Sequence, residues 1–496
     1  MFKNLKEEAA SFNPVRSLIA VIAVIAITYL LAFTLLPDKA GDLKAWSLLP
    51  AIFLIVYIFI TKRILESLIL ASVMGFIMIS HTGNILSTFS DTLVKVMMSE
   101  DIAWLIIVCG LMGSIISLIE RSGGAFAFGE WAATKAKSRK TALMWTWVLG
   151  IIIFIDDYLN SLTVGSCMTS LTDKHKVPRE FLCYVVSSTA APLCVLIPIS
   201  TWAVFCGRLL ESNGWATKGD GLLYFIKTIP FNFYGWAAAL LVPIIVLGII
   251  PIFGPMKKAE KRVAEGGPLA PPGSEKIDIH AGAEEAKMPD KPKMINLFVP
   301  IIVLVASTII FDVDMQMGVL CTLAFMFVFY LIQKVMSAAE FADVCVKGIQ
   351  NMILPLMLMV LAFLFAEVNS QIGFTKYVIE SAANIMTPAL MPFVIFLALS
   401  VTEFITGTNW GMYIIALPIV IPLAMQMDVN MALAVGAVLS AGVLGSHCCF
   451  YSDATILTSA ACGCDNFRHA FTQMPFGLLA ALFAAIGFLI AGFVCA

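Results

Sequence analysis

Charged residues are scarce. Asp, Glu, Lys and Arg make up 13% of the 496 residues, where a soluble chain carries roughly a quarter. The sequence also lacks a phosphate-binding glycine loop, a nucleophile triad and a dinucleotide fingerprint, so it offers an enzyme neither chemistry nor cofactor. Its one glycine pair beside a helix end, Ser122-Gly123-Gly124, reads as a turn. The net charge is −2 and no basic tract stands out, so no nucleic-acid partner is expected. The twelve cysteines are scattered, mostly inside apolar segments, and read as small packing residues rather than a disulfide framework.

What is abundant is apolar. The chain is 60% hydrophobic with a mean hydropathy of +0.93. Its apolar runs are long enough, at ~1.5 Å per helical residue, to cross a ~30 Å hydrocarbon core. Barrel strands would alternate instead, so the expected fold is an all-α polytopic membrane protein. Residues 17–36 read as a retained first helix, too long for a signal sequence. Further spans are expected at 46–60, 64–80, 102–119, 141–155 and 232–254, then at 295–311, 313–333, 352–368, 389–405 and 473–495. Two regions, 156–212 and 406–463, read as broken. Segments 84–100, 123–138, 336–350 and 371–386 read as amphipathic or re-entrant. The polar stretch from Pro255 to Pro292 holds Lys257, Lys258, Lys261 and Arg262 and then Gly/Pro pairs, and reads as a flexible linker. The expected organisation is 1–45 (N-terminal segment and first helix), 46–254 (first repeat), 255–294 (linker) and 295–496 (second repeat).

The halves echo one another. Phe154-Ile155 and Phe404-Ile405 both close apolar runs, 250 residues apart; Phe89, Asp91 and Lys95 recur as Phe341, Asp343 and Lys347 at 252, and Ser188 and Ser200 as Ser440 and Ser452 at 252. Lys3, Lys6 and Arg16 put the N-terminus in the cytoplasm, and the basic linker is placed there as well, with Ala496 outside. Span 46–60 then runs out-to-in and its mate 295–311 in-to-out, so the repeats are inverted. Inverted repeats with broken helices at the midplane are the build of secondary transporters.

The organising stretch is Asp156-Asp157-Tyr158-Leu159-Asn160-Ser161-Leu162-Thr163-Val164-Gly165. Carboxylates at membrane depth usually face an ion or substrate path. The Asn, Ser, Thr and Gly that follow suggest an unwound, oxygen-rich helix break, suited to a hard cation. Its mate supplies Thr406, Thr408 and Asn409. Ser200 and Thr201 match Ser452 and Asp453, with Thr455 beyond. The candidate ion or substrate ligands are thus Asp156, Asp157, Asn160, Ser161, Ser200, Thr201, Thr406, Thr408, Asn409, Ser452, Asp453 and Thr455. Sodium is assigned to Asp157, Asn160, Asn409 and Asp453. His447 and Glu403 are candidate proton-titrating groups. Trp202 and Trp410 are placed to line a solute pocket or to sit in an interfacial belt.

The runs Phe154–Ser166, Ser188-Thr189-Ala190-Ala191-Pro192, Gly445-Ser446-His447-Cys448, Ser452–Leu457, Ala461-Cys462-Gly463-Cys464-Asp465 and Thr472-Gln473-Met474-Pro475 resemble the NhaC family of sodium/proton antiporters. The resemblance covers most of the chain beyond the first span. It implies re-entrant hairpins, a transport domain that moves against a scaffold in an elevator-like cycle, and by analogy a homodimer. Sodium-binding Ser-Asn-Thr turns of that superfamily fall at Asn160-Ser161 and Thr408-Asn409, neither of which is a full match.

The leading expectation is a bacterial plasma-membrane transporter that exchanges Na+ for H+, with membrane lipid and small ions as its partners. The alternatives are sodium-coupled transport of an amino acid or carboxylate and, from another class, an ion channel.

Overall fold

The computed structural model describes residues 43–495 apart from 62–63, 81–83, 275–291, 312–313, 375–376, 378–386, 407–408 and 451. The expected first helix, 17–36, lies outside the described residues. Every regular element among them is a helix. In chain order these are α1 (Leu49–Thr61), α2 (Ile64–Ser80), α3 (Ile85–Met97), α4 (Glu100–Arg121), α5 (Gly124–Lys135) and α6 (Arg139–Ile152). The first broken region holds α7 (Asp157–Lys174), α8 (Arg179–Thr189), α9 (Ala191–Cys194) and α10 (Thr201–Ser212), followed by α11 (Gly221–Thr228), α12 (Phe233–Leu247) and α13 (Gly254–Ala264). Then come α14 (Ile295–Ile310), α15 (Met315–Ile332), α16 (Ala338–Asn351), α17 (Ile353–Gln371) and α18 (Met391–Thr406). The second broken region holds α19 (Asn409–Gln426), α20 (Met431–Cys448) and α21 (Asp453–Cys462), and α22 (Asn466–Val494) closes the chain.

Among the described residues, four helices are long and apolar enough by themselves to cross a membrane: Ile102–Arg121, Met315–Ile332, Met431–Cys448 and Asn466–Val494. Two bent pairs add to these. Residues 65–80 meet 85–97 at 116°, and 221–231 meet 233–247 at 58°.

The chain divides into two compact units. The described residues up to 99 and those within 360–381 form the smaller one. Within it, Lys95 pairs with Glu367 at 2.9 Å, and Gly75 gives way to Val368, which a Cβ there would strike. The larger unit, 100–359 and 382–496, holds both broken regions. Lipid gives helices no hydrophobic reason to associate, so close approach depends on small side chains. Gly113 of α4 and Gly348 of α16 lie backbone against backbone, as do Gly207 of α10 and Gly221 of α11. Local chemistry sets the helix ends. Ser138 and Thr141 form a capping box on α6, Ser337 and Glu340 another on α16. Gly463, at φ +63°, ends α21 in the left-handed conformation that glycine tolerates best.

Element bounds repeat at one interval. The starts of α6, α7, α8 and α10 (139, 157, 179 and 201) each lie 252 positions before those of α18, α19, α20 and α21 (391, 409, 431 and 453), and α7 and α19 are both 18 residues long. This register corrects the one read from Phe154 and Phe404, at 250. It matches Asp157, not Asn160, with Asn409, because the helix starts and not the apolar run ends carry the correspondence.

The stretch after Ile250 is not a flexible linker throughout. Residues 254–274 form a strap on the larger unit. Arg262 grips Glu180 with two bonds, 2.8 and 2.9 Å, and Arg139 pairs with Glu260. Arg179 N donates to Leu269 O at 3.0 Å, and Asp465 N to Ser274 Oγ at 2.9 Å. Charged side chains of the expected linker have partners on α8, where Glu180 is buried, and on α6, where Arg139 is half-buried. Residues 275–291 lie outside the described residues.

Candidate functional site

α6 stops at Ile152, and the chain runs irregularly through Ile153–Asp156 before α7 begins. The break therefore ends at Asp156, the first of the acid pair. Asn160, Ser161 and Gly165, expected to unwind, lie inside an intact helix. The reason is local: Asp156 is the N-cap of α7, and its Oδ1 accepts from Tyr158 N at 3.0 Å and Leu159 N at 3.1 Å.

Both acids are buried, as are Asn160 and Ser161. Asp156 Oδ2 accepts from Thr201 Oγ1 at 2.9 Å, and Thr201 N donates to Ile155 O at 2.9 Å. The three donors on Asp156 are thus all neutral. Asp157 Oδ1 accepts from the indole of Trp202 at 3.0 Å. Trp202 is fully enclosed and meets Tyr413 edge-on at 5.5 Å. It is neither a belt residue nor an exposed pocket wall, and holds one of the acids. Asn160 turns its amide nitrogen to three backbone carbonyls, Gly150, Ile153 and Thr189, at 2.7–2.9 Å. Its Oδ1 is buried with no hydrogen-bond partner. Ser161 accepts from Thr458 Oγ1 of α21 at 3.0 Å. Asp157, Asn160 and Ser161 stand at i, i+3 and i+4 and share one side of α7.

Ser200 and Ser452 play one part in matched loops. Ser200 Oγ donates to Cys194 O at 2.5 Å and accepts from Ala203 N at 3.0 Å, capping α10. Ser452 Oγ donates to Ser446 O at 2.6 Å and accepts from Thr455 N at 3.3 Å, capping α21. Thr455 Oγ1 also bonds Ser446 O, at 3.2 Å. These hydroxyls close the turns that bring α10 and α21 in.

Glu403 is buried on α18 and lies flush against Gly445 of α20, where a Cβ would collide with its side chain. His447 is buried with Nδ1 2.8 Å from Tyr234 Oη and Nε2 3.1 Å from Ser188 Oγ. Thr406 ends α18, while Asn409 and Asp453 begin α19 and α21; Thr408 lies outside the described residues, as do the side chains of the other three and of Trp410. Among the described residues no group of three or more His, Cys, Asp or Glu is arranged to hold a metal ion. Sequence reasoning set Thr458 beside Ser452, Asp453 and Thr455 without making it a ligand, met Gln473 only within a family motif, and left out Tyr413 and the buried His469. The signal for Thr458 was its place in a run of hydroxyls after Ser452.

A helical membrane fold around a buried polar core, with two broken regions in matching places, defines a secondary transporter. The profile of the Na+/H+ antiporter family matches residues 193–493, more than half of the sequence, and the chain belongs to that family. It is a multi-pass membrane transporter and not an enzyme. An uncharacterised protein of Haemophilus influenzae is 25% identical over 510 aligned positions, which cover 95% of each chain. In fold the chain is similar to the YdaH transporter of Alcanivorax borkumensis, with a TM-score of 0.52 and 11% identity over 82% of this chain and 88% of that one.

Proposed function

We propose that this chain exchanges Na+ for H+ across the bacterial plasma membrane, as the NhaC-like motifs imply. The observation that carries the reading is the N-terminal turn of α7. There Asp156 is buried among neutral donors, and one helical turn on Asn160 Oδ1 is buried without a partner. An isolated buried carboxylate is costly to charge, and a cation or a proton relieves the cost. Sodium takes oxygen ligands, and Asp156, Asp157, Asn160 Oδ1 and Ser161 are the oxygens at hand. Sodium and proton then compete for one set of atoms, so apparent sodium affinity weakens as pH falls.

The interval of 252 extends the site to the second half. It matches Asp156 with Thr408 and Thr201 with Asp453, so acid and hydroxyl exchange places between the halves. Asp453 and Asn409 complete the ligand set on this reading. The two halves act as inverted repeats, the N-terminus and the strap face the cytoplasm, and transport follows an elevator-like cycle in a homodimer.

Sodium-driven proton movement in proteoliposomes, measured across a pH series, tests the proposal. Asp157→Asn and Asp453→Asn should each abolish coupled exchange. Undiminished exchange in Asp156, Asp157 and Asp453 variants alike would place the ion site elsewhere.

A further inference from the structure

At the far end of α10 from the acid pair lies a cavity of about 360 Å³, lined by Glu100 of α4, Glu211 and Ser212 of α10, and Lys218 of the loop that follows. Helix lengths give its place in the fold. α4 has 22 residues, ~33 Å at ~1.5 Å each, so Glu100 and Arg121 mark opposite faces of a ~30 Å hydrocarbon core. α10 starts at Thr201, which bonds Asp156, and runs 12 residues to Ser212, a rise of ~18 Å. The cavity therefore opens on the Glu100 face, with the acid pair about half a membrane below it. Charged groups of the two helices close its floor. Arg208, one turn before Ser212, sets its guanidinium over the ring of Trp104, 3.9 Å from the centroid, and bonds Glu211 Oε2 at 2.6 Å. Trp104 stands one turn beyond Glu100. Arg208 and Glu211 are largely buried, whereas Lys218 and Glu100 are exposed. At the rim Lys218 pairs with Glu100, and the Arg208 charge also reaches that carboxylate. Glu211 Oε1 accepts from Gly219 N at 3.1 Å and Gly221 N at 2.8 Å, which fixes the Lys218 loop to α10. One turn deeper, Val108 and Cys109 of α4 and Val204 and Phe205 of α10 are all buried, and the charge on Asp156 reaches Cys109.

We propose that this clasp is the gate between the cavity and the acid pair, with Arg208 seated on Trp104 as its closed position. The gate belongs to the seam of α4 and α10, and only the identity of the ion that passes rests on the exchange reading. Two layers hold the seam: Lys218 on Glu100 above, and Arg208 on Trp104 below. Both cations ride with α10, Arg208 through Glu211 of its own helix and Lys218 through the loop that Glu211 holds. Both partners stand on the first turns of α4. A shift of α10 against α4 therefore breaks the two contacts together and leaves the Arg208–Glu211 pair whole. An exposed ion pair contributes little by itself, so the Arg208–Trp104 layer carries the closure. With the clasp shut, sodium in the cavity meets a fixed guanidinium on its way inward, an electrostatic barrier of the kind that turns cations back in pores. The indole holds that guanidinium by its ring face and offers sodium no oxygen ligand.

Cys109, just inside the floor, is a native reporter. The full chain in detergent is treated with a small cationic methanethiosulfonate, and peptide mass spectrometry follows modification at Cys109. The parent should react slowly. Trp104→Leu and Arg208→Gln should each speed labelling by about tenfold, the change that a desolvated cation–π contact carries. Trp104→Phe, which retains a ring face, should stay near the parent. Ser212→Cys, in the cavity wall, should react quickly in every background. A second arm needs no weakened variant. Glu100→Cys with Lys218→Cys, bridged across the rim by a bifunctional thiol reagent, should lose most sodium-driven proton movement in proteoliposomes and regain it when the bridge is reduced. Unchanged Cys109 labelling in both floor variants would overturn the gate. So would a Ser212→Cys thiol as slow as Cys109, or a bridged protein that exchanges at the unbridged rate. Sodium-dependent thermal stabilisation is measured beside these, and its absence in the parent would overturn the exchange reading while the labelling result stands.

Discussion

Thr458 Oγ1 donates to Ser161 Oγ across 3.0 Å, joining two helices that lie 297 residues apart in sequence. Both hydroxyls are fully buried, so each would otherwise face a helix carbonyl or nothing. The bond is a direct tie between the acid-bearing helix of one half and the short helix of the other. A net contribution of about 1 kcal/mol is ordinary for such a bond. Thr458→Val and Ser161→Ala should each lower thermal stability, and the double variant should lose less than the sum of the two. Melting of the four proteins with and without sodium measures the coupling. Strict additivity would mean that the tie carries no energy.

Trp202→Phe separates two functions of one side chain. Phenylalanine retains the edge-on contact with Tyr413 and removes the hydrogen bond to Asp157. Bonds to charged acceptors are worth ~1.5–3 kcal/mol, so sodium affinity should change by about tenfold or more while the fold persists. Sodium titrations of thermal stability give the affinity. A variant that binds sodium as the parent does would show that Trp202 only fills space.

Gly150→Ala should disturb the seat of Asn160. A Cβ at Gly150 would lie 2.5 Å from Thr189 Cβ, and the carbonyls of both residues accept from Asn160 Nδ2. Overpacking of this kind costs roughly 1–3 kcal/mol. The expected result is a less stable protein with impaired exchange. Thr189→Ala in the same background, by removing the hydroxyl that would lie nearest the added Cβ, should restore part of both.

The strap makes a prediction about pH. Burial pushes the Glu260 carboxyl above its ordinary value, and the Arg139 guanidinium offsets only part of that rise. An acid raised in the folded state binds more protons folded than unfolded between the two values. Stability therefore falls as pH climbs through that window. Glu260→Gln lacks the effect. Residues 254–274 should be protected from hydrogen exchange equally in parent and variant near pH 4, and better in the variant at pH 7. Better protection of the parent at pH 7 would reverse the sign.

Much of the frame was legible because lipid demands uninterrupted apolar helices. The run 64–80 is bounded in sequence by Lys62-Arg63 and by the polar His81-Thr82-Gly83-Asn84, and the helix ends where the run ends. The acid pair was legible because charge at that depth is conspicuous. The course of the backbone around it was not. Asn160, Ser161 and Gly165 have the composition of a break, yet each meets a partner that holds it helical: three carbonyls for Asn160, Thr458 for Ser161, and Ala461 for Gly165, 2.7 Å from where a Cβ would stand. Tertiary contacts overrode propensity there. The role of Trp202 depends on a contact 45 residues away, which no spacing announces.

The matched loops at Ser200 and Ser452 give the experimenter something a single-copy fold does not. Each serine caps its helix and bonds the carbonyl six residues back, 2.5 Å away in one loop and 2.6 Å in the other. Damage from simply losing a cap should therefore be alike at both places. Ser200→Ala serves as the internal control for Ser452→Ala, and any gap between their transport rates measures what one loop does beyond holding its shape.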